Sequence, residues 1–252
     1  MRHSPLSRPM VAVAHGSRDP RAAATVAALL DAVRARRPDV PVHASFLDHA
    51  APAPAQVLDG LARDGVHEAV VLPLLLTSAY HSKTDIPGVL NRVRALHPGL
   101  DVRTAGTLGP HPLLLDALDR RLAEVGVEPG DPDTAVVLVS AGSSDASANA
   151  TVARLARQWR SRGFRDVVAA YATAARPAPA EAVTALLAAG APRVAVASYV
   201  LSPGHFADKI RAESLAAGAT AVSPALGAAP EIADLVLRRY EELEVARTAE
   251  AV

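Results

Sequence analysis

Short apolar runs alternate along the first half of the chain with longer stretches in which apolar residues recur every three or four positions. The first pattern is typical of strands buried on both faces, and the second is typical of amphipathic helices. Buried strands that alternate with helices indicate an α/β fold, with helices on both faces of a parallel sheet. The predicted strands are 10–14, 40–47, 69–76 and 101–108, and the predicted helices are 21–37, 54–63, 86–96 and 113–125.

The same pattern begins again after the turn-rich segment EPGDPD at 128–133. The turn HGSRD at 15–19, which follows the first predicted strand, aligns with AGSSD at 141–145 in the second half. We therefore expect two tandem α/β domains, 8–127 and 134–246, each with a four-stranded parallel sheet flanked by helices. The repeat also predicts a pseudo-twofold relation between the domains, with a cleft between them. The predicted strands of the second half are 135–140, 167–172, 193–201 and 219–223.

Composition narrows the classes of function that the chain can have. The 26 Lys and Arg residues balance the 26 Asp and Glu residues, and only 3% of residues are aromatic, which argues against a nucleic-acid or membrane-surface binder. The absence of cysteine excludes disulfides, thiolate nucleophiles and iron–sulfur clusters. The chain shows no signal-peptide pattern and no apolar run of the ~18 residues that a membrane span needs. We expect a cytoplasmic protein that is a monomer, with a dimer as the alternative.

Polar side chains follow the first three predicted strands. His15, Asp48 and His81 come at equal intervals of 33 residues, one strand–helix unit each time. Because the carboxyl ends of parallel strands lie at the edge where α/β proteins bind ligands, we expect the three side chains to converge. Two imidazoles and a carboxylate suit a divalent ion such as Fe²⁺, Co²⁺ or Ni²⁺. Neutral imidazole can also accept protons, so the same residues suit general base catalysis.

The motifs at these strand ends resemble the sirohydrochlorin chelatase family, the class II chelatases that work without ATP. The matching segments are VAHGSRDP at 13–20, FLDHAAP at 46–52 and PLLLTSAYHSKTDIP at 73–87, with LGPHPLL at 108–114 after the fourth strand. The resemblance covers roughly residues 8–246. It implies insertion of Fe²⁺ or Co²⁺ into sirohydrochlorin, for sirohaem or cobalamin, in the cleft between two similar domains. The metal is then a substrate, and no permanently bound cofactor is implied.

The resemblance also implies roles for individual residues. His15 and His81 would be catalytic and, with Asp48, would hold the metal. The family usually has Glu at the second position, one methylene longer than Asp48, and the adjacent His49 is an alternative ligand. Cationic and polar groups near the histidines would bind the carboxylate arms of sirohydrochlorin. The predicted substrate-binding residues are Arg18, Ser78, Tyr80, Lys83 and His205.

In the second half, the positions that match His15 and Asp48 are Ala141 and Thr173, and only His205 retains the histidine of its counterpart His81. The second domain is therefore expected to be a decayed copy that binds the macrocycle but not the metal. Lys209 follows His205 in the sequence as Lys83 follows His81, so Lys209 is a further candidate cation for binding the carboxylate arms of the substrate. His111, after the fourth strand, lies near the same edge.

Three other classes of protein share some of these features with the chelatases. A histidine phosphatase needs an arginine directly before its histidine, where this chain has Ala14. A non-haem Fe(II) oxygenase normally carries an H-x-D pair on a β-barrel, and neither is predicted here. A metal or tetrapyrrole carrier stays open, because it would bind the same ligands without turnover. The ligand set does not discriminate among iron, cobalt and nickel.

Overall fold

The computed structural model describes residues 8–77 and 85–250, with side chains up to residue 243. Strands and helices alternate throughout this part of the chain. The first half contains β1 (Met10–Ala14), α1 (Pro20–Arg36), β2 (Val42–Phe46), α2 (Pro54–Arg63), β3 (Glu68–Pro73), α3 (Ile86–Leu96), β4 (Asp101–Thr104) and α4 (Pro112–Ala123). The second half contains β5 (Thr134–Ser140), α5 (Ala146–Arg160), β6 (Asp166–Tyr171), α6 (Pro179–Ala188), β7 (Arg193–Tyr199), α7 (His205–Ala216), β8 (Ala221–Val222) and α8 (Pro230–Glu250).

The strands form two four-stranded parallel sheets with the same topology, β2-β1-β3-β4 and β6-β5-β7-β8. The first strand of each half is therefore central and lies between the second and third strands of its own half. Residues 10–14 of β1 and all of β5 are buried, as expected for strands covered by helices on both faces. The predicted α/β class with two parallel sheets is confirmed.

Several strands are shorter than the apolar runs that predict them. β4 ends at Thr104 although its run extends to residue 108, and β7 ends at Tyr199 although its run extends to residue 201. Leu108 is nonetheless completely buried. The apolar pattern reports burial, and burial continues past the last residue that pairs with a neighbouring strand.

Helix α1 begins where the sequence predicts a helix start. The carboxylate of Asp19 accepts the amide N–H of Arg21 at 2.9 Å, and Pro20 occupies the first helical position. Hydrogen bonds from the Arg21 side chain lower the pKa of Asp19 below its usual value, so the cap stays ionised. The helix buries Ala22, Val26, Leu29, Leu30 and Val33.

Contacts divide the chain into a first unit, Met1–Leu108 with Ala228–Val252, and a second unit, Gly109–Gly227. The predicted boundaries, 8–127 and 134–246, follow the sequence repeat instead, so the two divisions assign the last helix of each half differently. Helix α4 packs with the second sheet, and helix α8 packs with α1 and β3 of the first unit. An amphipathic pattern shows that a helix packs on something, but it does not show on which sheet.

Specific contacts anchor both of these helices. In the second unit, Asp119 of α4 accepts the indole N–H of Trp159 at 2.8 Å. In the first unit, the hydroxyl of Tyr240 on α8 donates to the carbonyl oxygen of Arg8 at 2.9 Å, and Arg36 pairs with Asp234. Across the described helices, none combines the length and the apolar character that a membrane span requires.

Candidate metal and substrate site

The turn after β1 is closed so tightly that only glycine fits its second position. His15 follows the strand and is exposed, and Gly16 has a φ of +93°, in the region that favours glycine. A Cβ on Gly16 would lie 1.8 Å from the carbonyl oxygen of Asp48. The Nδ1 atom of His15 lies 3.1 Å from the carbonyl oxygen of Gly16. The His-Gly pair therefore turns the chain against the end of β2.

Main-chain hydrogen bonds join the ends of β1 and β2 beyond the strands themselves. The amide of Leu47 donates to the carbonyl oxygen of Ala14 at 3.0 Å, and the amide of Asp48 donates to that of His15 at 2.9 Å. His15 and Asp48 are thus neighbours across the carboxyl edge of the sheet. This neighbourhood is what the spacing of the sequence predicts for two of its three candidate metal ligands.

Asp48 forms a close pair with the residue that follows it. Its Oδ1 accepts the amide N–H of His49 at 2.8 Å, and its Oδ2 lies 3.3 Å from Nε2 of His49. Both side chains face solvent, with 63% of the Asp48 side chain exposed. His49 has a φ of +61°, an uncommon conformation for a residue other than glycine.

The third strand lies on the other side of β1. The amide of Leu74, just after β3, donates to the carbonyl oxygen of Val13 at 2.8 Å, so the ends of all three strands are adjacent. Four predicted site residues follow β3 and lie outside the described residues: Ser78, Tyr80, His81 and Lys83. Within residues 8–77 and 85–243, no group of three or more His, Asp or Glu side chains could hold a metal ion. Arg18 is exposed in the turn beside His15.

The corresponding turn of the second half has the same backbone but different side chains. Gly142 has a φ of +86°, and a Cβ there would lie 2.0 Å from the carbonyl oxygen of Thr173. The amide of Thr173 donates to the carbonyl oxygen of Ala141 at 2.9 Å, as Asp48 does to His15. Ala141 and Thr173 therefore occupy the places of the imidazole and the carboxylate, and they offer neither group to a metal.

Side chains of the second half satisfy the polar groups of their own turns. Thr173 Oγ1 donates to the carbonyl oxygen of Ala141 at 2.9 Å, and the Lys209 ammonium donates to that of Ala172 at 2.9 Å. Oδ1 of Asn149 accepts the N–H of Ser143 at 3.0 Å, and Nδ2 of Asn149 donates to the carbonyl oxygen of Ser143 at 2.7 Å. Lys209, a candidate cation for the substrate, is thus engaged within its own unit.

The remaining candidate histidines have different surroundings. His205 is the first residue of α7 and is exposed, and its ring centroid lies 5.7 Å from that of Phe206. Phe206 is 41% exposed, whereas the other aromatic side chains of the described part of the chain are buried. Phe206 is not among the predicted site residues, although an aromatic residue beside a candidate histidine is a visible signal in the sequence. Nδ1 of His111 accepts the amide of Leu113 at 3.2 Å and caps α4.

Comparisons with known proteins identify the family of this chain. The sequence model of the CbiX family matches residues 9–125 and again residues 135–243. The sirohydrochlorin cobaltochelatase of Priestia megaterium is 30% identical over 200 residues, which cover 76% of this chain and 63% of the relative. The sirohydrochlorin ferrochelatase of the same organism is 29% identical over 203 residues, which cover 80% of this chain and 76% of the relative.

A solved structure supports the same assignment at the level of the fold. The structure of SirB from Bacillus subtilis with Fe³⁺ superposes with a TM-score of 0.81 and 26% sequence identity, covering 94% of this chain and 95% of that one. The family match also falls on both halves, so it confirms the sequence repeat. This chain belongs to the CbiX family, and the resemblance of its strand-end motifs to the sirohydrochlorin chelatases is confirmed.

Proposed function

We propose that this protein inserts a divalent metal ion, Fe²⁺ or Co²⁺, into sirohydrochlorin without ATP. The observation that carries the proposal is the junction of β1 and β2, where His15 and Asp48 are neighbours at the carboxyl edge of the first sheet. The names of the relatives, cobaltochelatase and ferrochelatase, support the same reaction and both metals. The chain spans 63% of the length of that cobaltochelatase.

The chemistry of metal insertion suits the groups at this edge. The macrocycle gives up two pyrrole N–H protons while the ion exchanges its water ligands for pyrrole nitrogens. The imidazole of His15 can hold the ion through a ring nitrogen or accept a proton there. The carboxylate of Asp48 adds negative charge that favours the cation. No nucleotide is needed, since the ion and the protons exchange places.

The residues after β3 enter the proposal through their motif alone. We assign His81 as a second catalytic imidazole, because its motif matches the family and it follows the strand on the other side of β1. Lys83 and Arg18 would bind carboxylate arms of sirohydrochlorin as cations. Ser78 and Tyr80 would contribute hydroxyl hydrogen bonds.

The second half contributes binding rather than metal chemistry in this proposal. Its turn lacks the imidazole and the carboxylate, since Ala141 and Thr173 replace them. His205 and the exposed ring of Phe206 offer an aromatic surface of the kind that planar conjugated ligands contact. We therefore expect His205→Ala to change mainly the KM for sirohydrochlorin, whereas His81→Ala lowers kcat by orders of magnitude. An equal fall of kcat in both variants contradicts the assignment of the metal to the first half.

The test is an anaerobic absorbance assay of sirohydrochlorin with Fe²⁺ and Co²⁺ in separate samples, without nucleotide and with the enzyme far below the substrate concentration. His15→Ala should lower the rate by ~10²-fold or more, the usual range for loss of a general base. His67→Ala is the matched control, because His67 is an exposed histidine that precedes β3, at the opposite edge of the sheet. It should leave the rate unchanged.

The same assay separates an enzyme from a carrier. A carrier would give at most one equivalent of metallated product per protein and then stop, and that result would overturn the proposal. We further propose that the protein acts in the cytoplasm as a monomer, with a dimer as the alternative. Light scattering coupled to size-exclusion chromatography distinguishes the two states.

A further inference from the structure

We propose that Asp48 and His49 together chelate one divalent cation at the carboxyl end of β2. The inference rests on the proposed function, because it identifies where that reaction's metal substrate first binds to the protein. Both residues are exposed, so an ion can reach them from solvent. His49 thereby becomes a metal-binding residue in its own right, in addition to Asp48.

The distance between the two side chains suits a shared ion. Nitrogen and oxygen ligands lie about 2.1 Å from ions of this class, taking zinc as the guide. Two such ligands are then about 3.0 Å apart at a right angle and about 3.4 Å apart at the tetrahedral angle. Nε2 of His49 and Oδ2 of Asp48 are 3.3 Å apart, inside this range. An ion can therefore bridge them with little side-chain movement.

The turn itself does not require this pair. In the second half, Thr173 and Ala174 occupy the matching positions, and Ala174 has a φ of +59° against +61° for His49. The surrounding main-chain hydrogen bonds also match, since Ala50 donates to Asp48 at 2.8 Å and Ala175 donates to Thr173 at 2.7 Å. The same backbone thus forms without an imidazole or a carboxylate, and the pair is available for another purpose.

The arrangement presents one carboxylate oxygen to the imidazole. Oδ1 of Asp48 is held by the amide of His49 at 2.8 Å, which leaves Oδ2 as the atom that faces Nε2. Two protein ligands completed by water bind an ion weakly. Weak binding suits a substrate ion, because the ion has to leave the protein for the pyrrole nitrogens.

The second half supplies the substitutions that test the inference without disturbing the turn. Asp48→Thr and His49→Ala, alone and together, install residues that the same backbone already accommodates at 173 and 174. Co²⁺ is titrated into the 252-residue chain without tetrapyrrole, and binding is followed by calorimetry and by the visible absorbance of the ion. His67→Ala serves as the control for loss of an exposed imidazole.

We expect each single substitution to weaken Co²⁺ binding by ~10- to 100-fold, the scale of perturbations at metal sites. Co²⁺ binding by the double variant should be hardly weaker than binding by either single variant, because two ligands of one ion are not independent. The titration is repeated with a variant that combines His15→Ala and His81→Ala, and this variant should still bind one equivalent of Co²⁺ weakly. Adding His49→Ala to that variant should abolish the remaining binding.

The outcomes separate this inference from the proposed function. Unchanged Co²⁺ affinity in His49→Ala, in a protein that still inserts metal into sirohydrochlorin, overturns the shared site and leaves the reaction intact. Additive losses in the double variant overturn it as well. A third outcome combines two results: the His49→Ala variant loses Co²⁺ binding, and the wild-type protein makes no metallated product. That outcome supports the shared Asp48–His49 site and refutes the proposed reaction.

Discussion

Replacing Gly16 by alanine tests whether the junction of β1 and β2 forms the candidate site. The new Cβ would lie 1.8 Å from the carbonyl oxygen of Asp48, and real Cβ contacts stay beyond 3.0 Å, so the two segments must separate by more than 1 Å. That movement pulls apart the hydrogen bonds from Asp48 to His15 and from Leu47 to Ala14, now 2.9 and 3.0 Å long. It also moves His15 and Asp48 away from each other.

The loss in the free energy of unfolding caused by Gly16→Ala has two contributions. Forcing a residue with a side chain into the left-handed region costs roughly 1–2 kcal/mol. Loss of two main-chain hydrogen bonds costs about 0.5–1.5 kcal/mol each. Gly16→Ala should therefore lower the free energy of unfolding by roughly 2–5 kcal/mol, and Tm by ~4 °C or more for a chain of this size.

Two other glycines provide matched controls. Gly65 has a φ of +79° but no atom within 4 Å of its added Cβ, so Gly65→Ala carries only the conformational cost of roughly 1–2 kcal/mol. Gly142→Ala meets the carbonyl oxygen of Thr173 at 2.0 Å and should cost as much as Gly16→Ala. Because the proposed metal site lies in the first half, Gly16→Ala should lower kcat for metal insertion far more than Gly142→Ala.

Differential scanning calorimetry and urea unfolding measure the stabilities, and the absorbance assay measures kcat. A Gly16→Ala protein that is as stable as Gly65→Ala would show that the contact with Asp48 costs nothing, and the argument from close approach would then be wrong. Equal loss of kcat in Gly16→Ala and Gly142→Ala would contradict the separate roles of the two turns.

Three further substitutions test other parts of the structure. Asn149→Ala removes both hydrogen bonds to Ser143 and should lower the free energy of unfolding, measured by urea unfolding, by about 1–3 kcal/mol. An unchanged free energy of unfolding would show that these two hydrogen bonds do not stabilise the protein. Ser214→Ala should be neutral or stabilising in calorimetry, because the buried Ser214 hydroxyl has no hydrogen-bond partner within the described structure; clear destabilisation would refute this. Burial, and then the charge of Arg34, lower the pKa of His43 in the folded protein. The unfolded state therefore binds more protons than the folded state just below the usual histidine pKa of about 6.5, and stability falls as pH drops through that value. His43→Gln should flatten this fall, which is measured as Tm against pH.

Much of the fold was predictable because burial leaves a direct trace in the sequence. Apolar runs such as 10–14 and 69–76 mark strands buried on both faces, and their alternation with amphipathic helices requires parallel pairing. The equal spacing of polar residues after these runs correctly predicted that His15 and Asp48 lie at one edge of the sheet. Those predictions depend only on local pattern and on the geometry of parallel sheets.

Features that depend on contacts between distant residues were not predictable. The sequence shows a glycine after His15, but only the structure shows that the carbonyl oxygen of Asp48 leaves no room for a Cβ. It shows Lys209 after His205, but not that the carbonyl oxygen of Ala172 accepts a hydrogen bond from that ammonium group. Such partners are chosen by three-dimensional packing, which a pattern along one chain does not record.

The packing of α8 has a consequence for the origin of the two halves. Ile232, Leu235 and Val236 of this helix are completely buried, yet the helix belongs by sequence to the second copy of the repeat and by contacts to the first unit. A chain severed at residues 128–133 would leave each fragment with an uncovered apolar surface and a helix that lacks its own sheet. A single-copy ancestor with this arrangement would have to be a domain-swapped dimer, in which each subunit lends its last helix to the other. Gene duplication and fusion would then have converted an exchange between two molecules into an exchange within one.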